Sequence, residues 1–231
     1  MKGSELYDDP DFLSGYRQLR RDGLGLNDEV EIPAMNAVLP AVDGLRVVDL
    51  GCGEGGLAVR ISAAGAAEVV AVDASEEMLA AAARHPRVRY VRADLADFDL
   101  PPGAADLVVS SLALHYVEDF DGLVARVARW LTPGGFFAFT IEHPVVTAPL
   151  AAADCVIDDY ADEGPRQRAW FVDGVVKYHR TIGTILGALC RHGFRLEVVD
   201  EPVPGVEQVE RQPQLAVHRR RPPLLLVVGV R

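Results

Sequence analysis

From Leu45 onward, short β-branched runs alternate with longer stretches whose apolar residues recur at helical spacing. Leu45–Leu50 is the first run, and Gly56–Ala64 behind it reads as a helix. Glu68–Val72 is a second strand. Ala74–Arg84 follows as an Ala-rich helix, with Ser75 as N-cap and Glu76 and Glu77 in the first turn, where the helix dipole favours anions. Val88–Arg92 and Ala105–Ser110 are the third and fourth strands. Phe120–Leu131 is a helix stopped by Thr132-Pro133-Gly134-Gly135, and Phe136–Ile141 is the fifth strand. This alternation implies parallel strands joined by crossover helices, an α/β sandwich.

Outside that rhythm the pattern changes. Residues 1–40 read as helical pieces punctuated by Gly23, Gly25, Pro33 and Pro40. Residues 142–180 carry prolines, acids and aromatics without a long helix. Within them Arg168–Val172 and Val175–Arg180 flank Asp173-Gly174, a hairpin signal. Thr181–Arg191 is a helix, and Phe194–Val199 and Leu224–Val230 are the sixth and seventh strands. The expected organisation is one domain over 1–231. It divides into a helical lid at 1–40, a core at 41–141, an insertion at 142–180 and a closing helix with two strands at 181–231.

The chain has 231 residues, 49% hydrophobic and 25% charged, which excludes disorder, collagen and coiled coil as the main architecture. Its longest apolar run, Leu224–Val230, falls far short of the ~20 residues of a membrane helix. No basic start precedes an apolar stretch at the N-terminus, so the expected location is the cytoplasm, away from membranes. A net charge of −11 disfavours a nucleic-acid substrate. The opposing run His218-Arg219-Arg220-Arg221 reads as a solvated connection before the last strand, with a phosphate site as the alternative. Cys52, Cys155 and Cys190 form no CxxC pair, which argues against a disulfide framework. The six histidines form no HExxH or Cys/His cluster, so no metal site is expected.

The chemistry concentrates at Asp49-Leu50-Gly51-Cys52-Gly53-Glu54-Gly55-Gly56, at a strand-to-helix turn. Glycines there let the backbone turn sharply and approach a ligand. Asp73 ends the next strand, where a carboxylate can accept hydrogen bonds from both ribose hydroxyls of a nucleoside. Gly51, Gly53 and Gly56 also satisfy the dinucleotide fingerprint GxGxxG, so these residues alone leave the nucleoside open.

VVDLGCGEG resembles the first motif of class I S-adenosylmethionine (SAM)-dependent methyltransferases, and the later segments resemble theirs in order. These are VVAVDAS (69–75), YVRADLADFDLP (90–101), ADLVVSSLALHYVEDF (105–120) and WLTPGGFFAFTI (130–141). The resemblance covers about 40–145. Segments 8–21 and 142–149, with VVKYHRT (175–181), resemble a bacterial small-molecule methyltransferase-like subgroup. It implies a Rossmann-like seven-stranded sandwich, mostly parallel, whose last strand runs antiparallel between the fifth and sixth. The implied cofactor is SAM, with S-adenosylhomocysteine (SAH) as product, and the implied reaction is in-line methyl transfer.

By that resemblance Gly51, Cys52 and Gly53 pack against the cofactor's amino-acid portion, and Asp49 orients the loop or a water near the ammonium. Asp73 holds the ribose, and Ala74 and Met78 line the adenine. Asp94 accepts from the adenine amino group, Leu95 offers a backbone N–H, and Ser110 and Leu112 face the methionine part. Cys52 is small filler there and no nucleophile. Tyr16 and Arg20, four apart, share one face of an N-terminal helix and are placed to close over the cofactor.

On the acceptor side His115 and His143 are the candidate general bases, since they follow the fourth and fifth strands and an imidazole near its usual pKa suits deprotonation at neutral pH. Alternation sends Glu142 and His143 opposite ways and groups Lys177 with His179 against Tyr178 with Arg180. Tyr178 and Arg180 are taken as the inward set, with Trp170 as an aromatic wall. The expected acceptor is a small, partly apolar molecule, such as a secondary metabolite, methylated on O, N or C by a monomer or homodimer. Two alternatives are a SAM-binding protein without turnover and a nicotinamide-dependent oxidoreductase on a similar fold.

Overall fold

Five parallel strands form most of one sheet. They are β1 (Arg46–Leu50), β2 (Glu68–Asp73), β3 (Val88–Arg92), β4 (Ala105–Ser111) and β5 (Leu131–Glu142). The computed structural model describes residues 6–21, 25–149 and 158–231, except the side chains of Arg20 and Arg21. β8 (Arg195–Asp200) and β9 (Leu224–Val230) complete the sheet in the order β3-β2-β1-β4-β5-β9-β8. β9 runs antiparallel to both β5 and β8, as the resemblance implied. The order reverses between β1 and β4, which opens a crevice at the carboxyl ends of the strands.

Both sheet faces are covered. Val48, Leu50, Val108, Phe137 and Phe139 meet α5 (Phe120–Trp130) and α7 (Ile182–Arg191), with Trp130 fully buried. Val47, Val69, Leu107 and Val109 face the other way, against α3 (Gly56–Ala63) and Met35 of α2 (Ile32–Val38). The alternation along each strand produces this two-sided burial. The caps follow sequence chemistry. Ser75 Oγ accepts from Met78 N at the start of α4 (Glu76–Ala81), Asp119 from Gly122 N at α5, and Thr181 from Thr184 N at α7.

Three expectations shift. The helix after Ser75 ends at Ala81 rather than Arg84. The fifth strand begins at Leu131, which pairs with Ala105 before a register shift restores pairing at Phe136. The hairpin forms from β6 (Gly164–Trp170) and β7 (Val172–His179), but the chain reverses at Phe171, not at Asp173-Gly174. Phe171 holds a left-handed φ of 57°, and Gly174, at φ 76°, lies by a register shift, so its freedom serves a bulge rather than the turn. Cys52 and Cys190 are free thiols, and Cys155 lies outside the described residues.

Further helical segments frame the site. α1 (Pro10–Arg21) is followed by a π-helical turn (Asn27–Glu31) that leads into α2. α6 (Pro144–Thr147) follows β5, and α8 (Val206–Arg211) and α9 (Ala216–Arg220) precede β9. No helix among the described residues is long and apolar enough to cross a membrane.

Candidate functional site

The glycine loop is pinned from beneath. Gly51 N–H and Cys52 N–H both donate to Val72 O, at 2.8 and 2.9 Å. Gly51 (φ 73°) has no space for a side chain, because a Cβ would lie 2.2 Å from that of Ala113. Gly53 (φ 53°) is the opposite case, with nothing within 4 Å of a Cβ there, so the loop leaves open space above it. Asp73 joins this loop to the next helix. Its Oδ2 accepts from Gly53 N at 2.8 Å and its Oδ1 from Ser75 N at 2.9 Å. Each oxygen retains acceptor capacity, the requirement for holding a vicinal diol.

Asp49 is buried beneath the loop, and its Oδ2 has no hydrogen-bond partner among the described residues. Burial pushes its carboxyl up to about 7. Asp73 adds to the rise, while Arg60 and the Ala58 backbone oppose it. Burial also raises Asp73, against its backbone hydrogen bonds. The orphaned oxygen, the two desolvated acids and the open glycine suit a ligand that brings a diol and a positive charge. Burial pushes the Cys52 thiol up, consistent with filler.

One cavity of about 760 Å³ runs along the carboxyl edge of the sheet, within the range of small-molecule sites. At the β2–β3 end it is lined by Asp73, Ala74, Met78, Asp94 and Leu95. Asp94 also serves its own turn, through Oδ1 to Ala96 N at 2.9 Å. At β4 the lining is Ser111 and Leu112, the latter at a left-handed φ of 53° that a branched side chain adopts only under constraint. Leu112 N–H donates to Thr140 O at 3.0 Å, which holds that turn. Ser110, expected here, turns away, with its Oγ donating to Leu50 O at 2.7 Å inside the sheet. Pleat alternation puts its neighbour Ser111 on the cavity instead.

The far end gathers groups from separate elements. Glu142 and His115 both line the cavity. Lys177 Nζ forms an ion pair with Glu142 and lies 4.7 Å from the Trp170 ring centroid. Burial would raise the Glu142 carboxyl, but the Lys177 ammonium, with Arg168, holds it below its usual range. Burial drives His115 down to about 4, against the pull of Glu142, so it is neutral at physiological pH. Glu31, from the π-helical turn, accepts from Ser111 Oγ at 2.8 Å and Thr140 Oγ1 at 2.7 Å. Glu142 and Lys177 were legible only as the unchosen halves of two alternations, and nothing in the sequence marked Glu31.

His143 is no part of the cavity. Its Nδ1 accepts from Val145 N at 3.1 Å, capping α6, and its Nε2 bonds Glu201 Oε1 at 2.6 Å. The inward pair of β7 is Lys177 and His179, not Tyr178 and Arg180. Lys177 and His179 are buried, and His179 Nδ1 meets Thr147 Oγ1 at 2.8 Å. Arg180 donates to the carbonyls of Val117 and Glu118 and lies over Phe120, away from the cavity. Tyr178 does reach the cavity rim, donating to Glu118 Oε2 at 3.0 Å, and Trp170 lines the wall.

The roof is aromatic. Tyr7, Phe12 and Tyr16 pack on one another, and Phe12 and Tyr16 meet Trp170, and Tyr7 meets Tyr116, edge-on, joining α1 to the hairpin. Arg17 Nε reaches Glu54 of the glycine loop at 2.9 Å, and Asp8 Oδ1 accepts from Ser75 Oγ at 2.6 Å. Tyr16 lines the cavity, while the Arg20 side chain lies outside the described residues. No group of three or more possible metal ligands occurs among the described residues.

Residues 47–135 match the model of a family described as a methyltransferase domain. A SAM-dependent methyltransferase from Mesorhizobium loti, known from a crystal structure, is 45% identical, with a TM-score of 0.84 over 90% of this chain and 100% of its own. A malonyl-[acyl-carrier protein] O-methyltransferase of Enterobacter lignolyticus is 41% identical over 46% of this chain and 43% of its own. A trans-aconitate 2-methyltransferase of Variovorax paradoxus is 40% identical over 48% and 44% respectively. The last two similarities span less than half of each protein.

Proposed function

The chain belongs to the SAM-dependent methyltransferases, and on that premise we propose that it methylates a small-molecule acceptor held beneath the α1–hairpin roof. The observation that carries this reading is the length of the cavity. Its lining runs from Asp94, beyond β3, to Leu224, which opens β9. Those strands are five steps apart in the sheet, about 24 Å at ~4.8 Å per step. A nucleoside with its methionine arm fills the part over β3, β2, β1 and β4. The part over β5 and β9 is left for a second small molecule.

In this reading Asp73 takes the ribose hydroxyls on the free acceptor positions of its two oxygens. Ala74 and Met78 flank the adenine, Asp94 accepts from its amino group, and the Leu95 N–H faces its ring. Gly51, Cys52 and Gly53 give the amino-acid arm a backbone surface without side chains in the way. Asp49 turns its unpartnered oxygen toward the ammonium, and Ser111 and Leu112 border the methyl donor. Tyr16, with Arg20 on the same helix, closes the site. The bound cofactor supplies a methyl group already activated by its sulfonium.

The protein's task is then alignment and exclusion of water, which can supply most of the rate. His115 is neutral and desolvated, and Glu142 is committed to Lys177, so neither is tuned as a base near neutral pH. This favours an acceptor that arrives as a nucleophile, a carboxylate or a neutral amine. The malonyl-[acyl-carrier protein] and trans-aconitate enzymes, by name, act on acids. Residues 1–40 and 142–180 serve in this reading as lid and acceptor wall of a single domain.

Calorimetric titration with SAH and with NADH tests the cofactor assignment, with Asp73→Ala as the matched variant. Micromolar SAH binding that falls at least about thirtyfold in the variant, or 2 kcal/mol, is expected, with no NADH binding. SAH affinity unchanged by the substitution would overturn the ribose role of Asp73.

A further inference from the structure

We propose that His218 and Arg221 form the acceptor-recognition wall of the cavity and hold an oxyanion of the acceptor, a carboxylate or a phosphate. The proposal rests on the reading of the cavity as a methyl-transfer site.

The two residues line the cavity on the side away from the nucleoside acids. Leu224, three residues on from Arg221, is the register partner of Glu142 at the end of β5. Pro223 O accepts from His143 N–H at 2.9 Å, which fixes residues 221–224 against that strand end. The basic run thus reaches the sheet beyond β5, the opposite end of the cavity from Asp94.

Arg221 is half-buried, yet its guanidinium has no hydrogen bond or ion pair among the described residues. Its neighbour Arg219 donates to Pro204 O. Arginines elsewhere meet carboxylates, as Arg46 does with Asp106 at 2.8 Å and Arg191 with Asp121 at 2.6 Å. The carboxylates of the cavity do not answer Arg221 either. Glu142 holds Lys177, and Glu31 holds two hydroxyls. A partly desolvated guanidinium is an incomplete pair, and its planar fork of donors matches a carboxylate or phosphate in two parallel bonds.

His218 lines the same wall, one helical turn before Arg221, with no hydrogen bond among the described residues. Burial and the nearby Arg221 charge lower its pKa, which favours the neutral ring, and a neutral imidazole has one N–H to donate. The segment is also fixed in advance. Arg221 N–H donates to Val217 O at 3.1 Å, and Pro222 and Pro223 lock two further φ angles. Little ordering is left to oppose binding.

The test uses full-length protein saturated with SAH and matched probes. These are tricarballylate and phenyl phosphate as anions, benzamide as the neutral probe and benzyltrimethylammonium as the cation. Binding of one or both anions in the millimolar range or tighter is expected, with the uncharged and cationic probes weaker. The tighter anion identifies the source as carboxylate or phosphate. Arg221→Ala is expected to weaken anion binding at least about tenfold, with Arg221→Lys between the two. SAH titration of each variant reads the cofactor half separately. Equal anion binding by Arg221→Ala, preference for the cation, or no anion binding to the SAH complex would overturn the proposal. Absence of SAH binding to the unmodified protein would overturn the cofactor reading beneath it.

Discussion

Lys177 on the hairpin and Glu142 at the end of β5 are joined by an ion pair that fastens the inserted hairpin to the rim of the sheet. The lysine is 5% exposed, and its ammonium lies between the rings of Trp170 and Tyr116. The pair therefore holds a cation in a mostly apolar shell, where it depends on its carboxylate.

Removing only the cation leaves Glu142 uncompensated. Lys177→Met is expected to lower unfolding free energy by about 3 kcal/mol, and adding Glu142→Gln should recover at least half. Urea denaturation of the four proteins of the cycle measures this. A single-variant loss within ~0.5 kcal/mol, the scatter of ordinary surface changes, would show the pair to be idle.

Asp49 makes the ligand-free protein pH-sensitive. Its folded value of about 7 exceeds the ordinary carboxyl value of about 3.9, so between the two the folded chain binds the extra proton. Its contribution to stability is complete below about pH 4 and is lost as pH rises through about 7, at up to about 1.4 kcal/mol per pH unit. Asp49→Asn should flatten that limb of a melting-temperature profile. A nearby ammonium favours the charged form, so SAH binding below pH 7 should release a proton and tighten as pH rises. Calorimetry in buffers of different ionisation enthalpy counts that proton, and proton uptake would reject the assignment.

His143 is structural. His143→Ala removes the cap of α6 and the bond to Glu201, and should cost about 1–2 kcal/mol of stability. Turnover, once an acceptor is known, should stay within about threefold, under 1 kcal/mol of barrier. A thousandfold fall in kcat with the fold intact would return it to the reaction.

Gly15 lets α1 lie against the hairpin turn. A Cβ at this position would lie 2.5 Å from Phe171 Cδ1. Gly15→Val should push the roof apart and weaken SAH binding about threefold to tenfold, within the range of an overpacked contact. Phe171→Ala in the same protein should restore most of the loss. Equal affinity in the unmodified protein and both variants would detach the roof from cofactor binding.

The parallel core was readable because each strand carries its own β-branched run and each turn its own punctuation. The glycine loop and the place of Asp73 at the end of β2 were readable for the same reason, since a tight strand-to-helix turn itself demands glycine there. The acceptor end was not. His143 and Glu142 are neighbours with opposite fates, and alternation gave their opposition but not which of them faces the cavity. On β7 alternation separates Lys177 from Tyr178 but does not say that Lys177 is buried against Glu142 while Tyr178 borders the cavity. Asp173-Gly174 carried a turn signature, yet Phe171 makes the reversal, because the register is set by pairing along the whole hairpin. Glu31 reaches the strand ends through a π-helical turn, a geometry with no periodic signature.

The position of β9 has a consequence for how the protein is made. This strand lies inside the sheet, bonded on both sides, although it follows β8 in the chain. During synthesis β8 waits without a neighbour, and the open flank of β5 is exposed, until residues 224–230 arrive. On the proposed reading, the part of the cavity over β1 to β4 can assemble first. The part over β5 and β9 forms later, because Arg221 and Pro223 are placed only when β9 docks. The proposed SAH site is therefore expected to form before the proposed acceptor wall, and the β5 flank stays an unpaired edge until β9 docks.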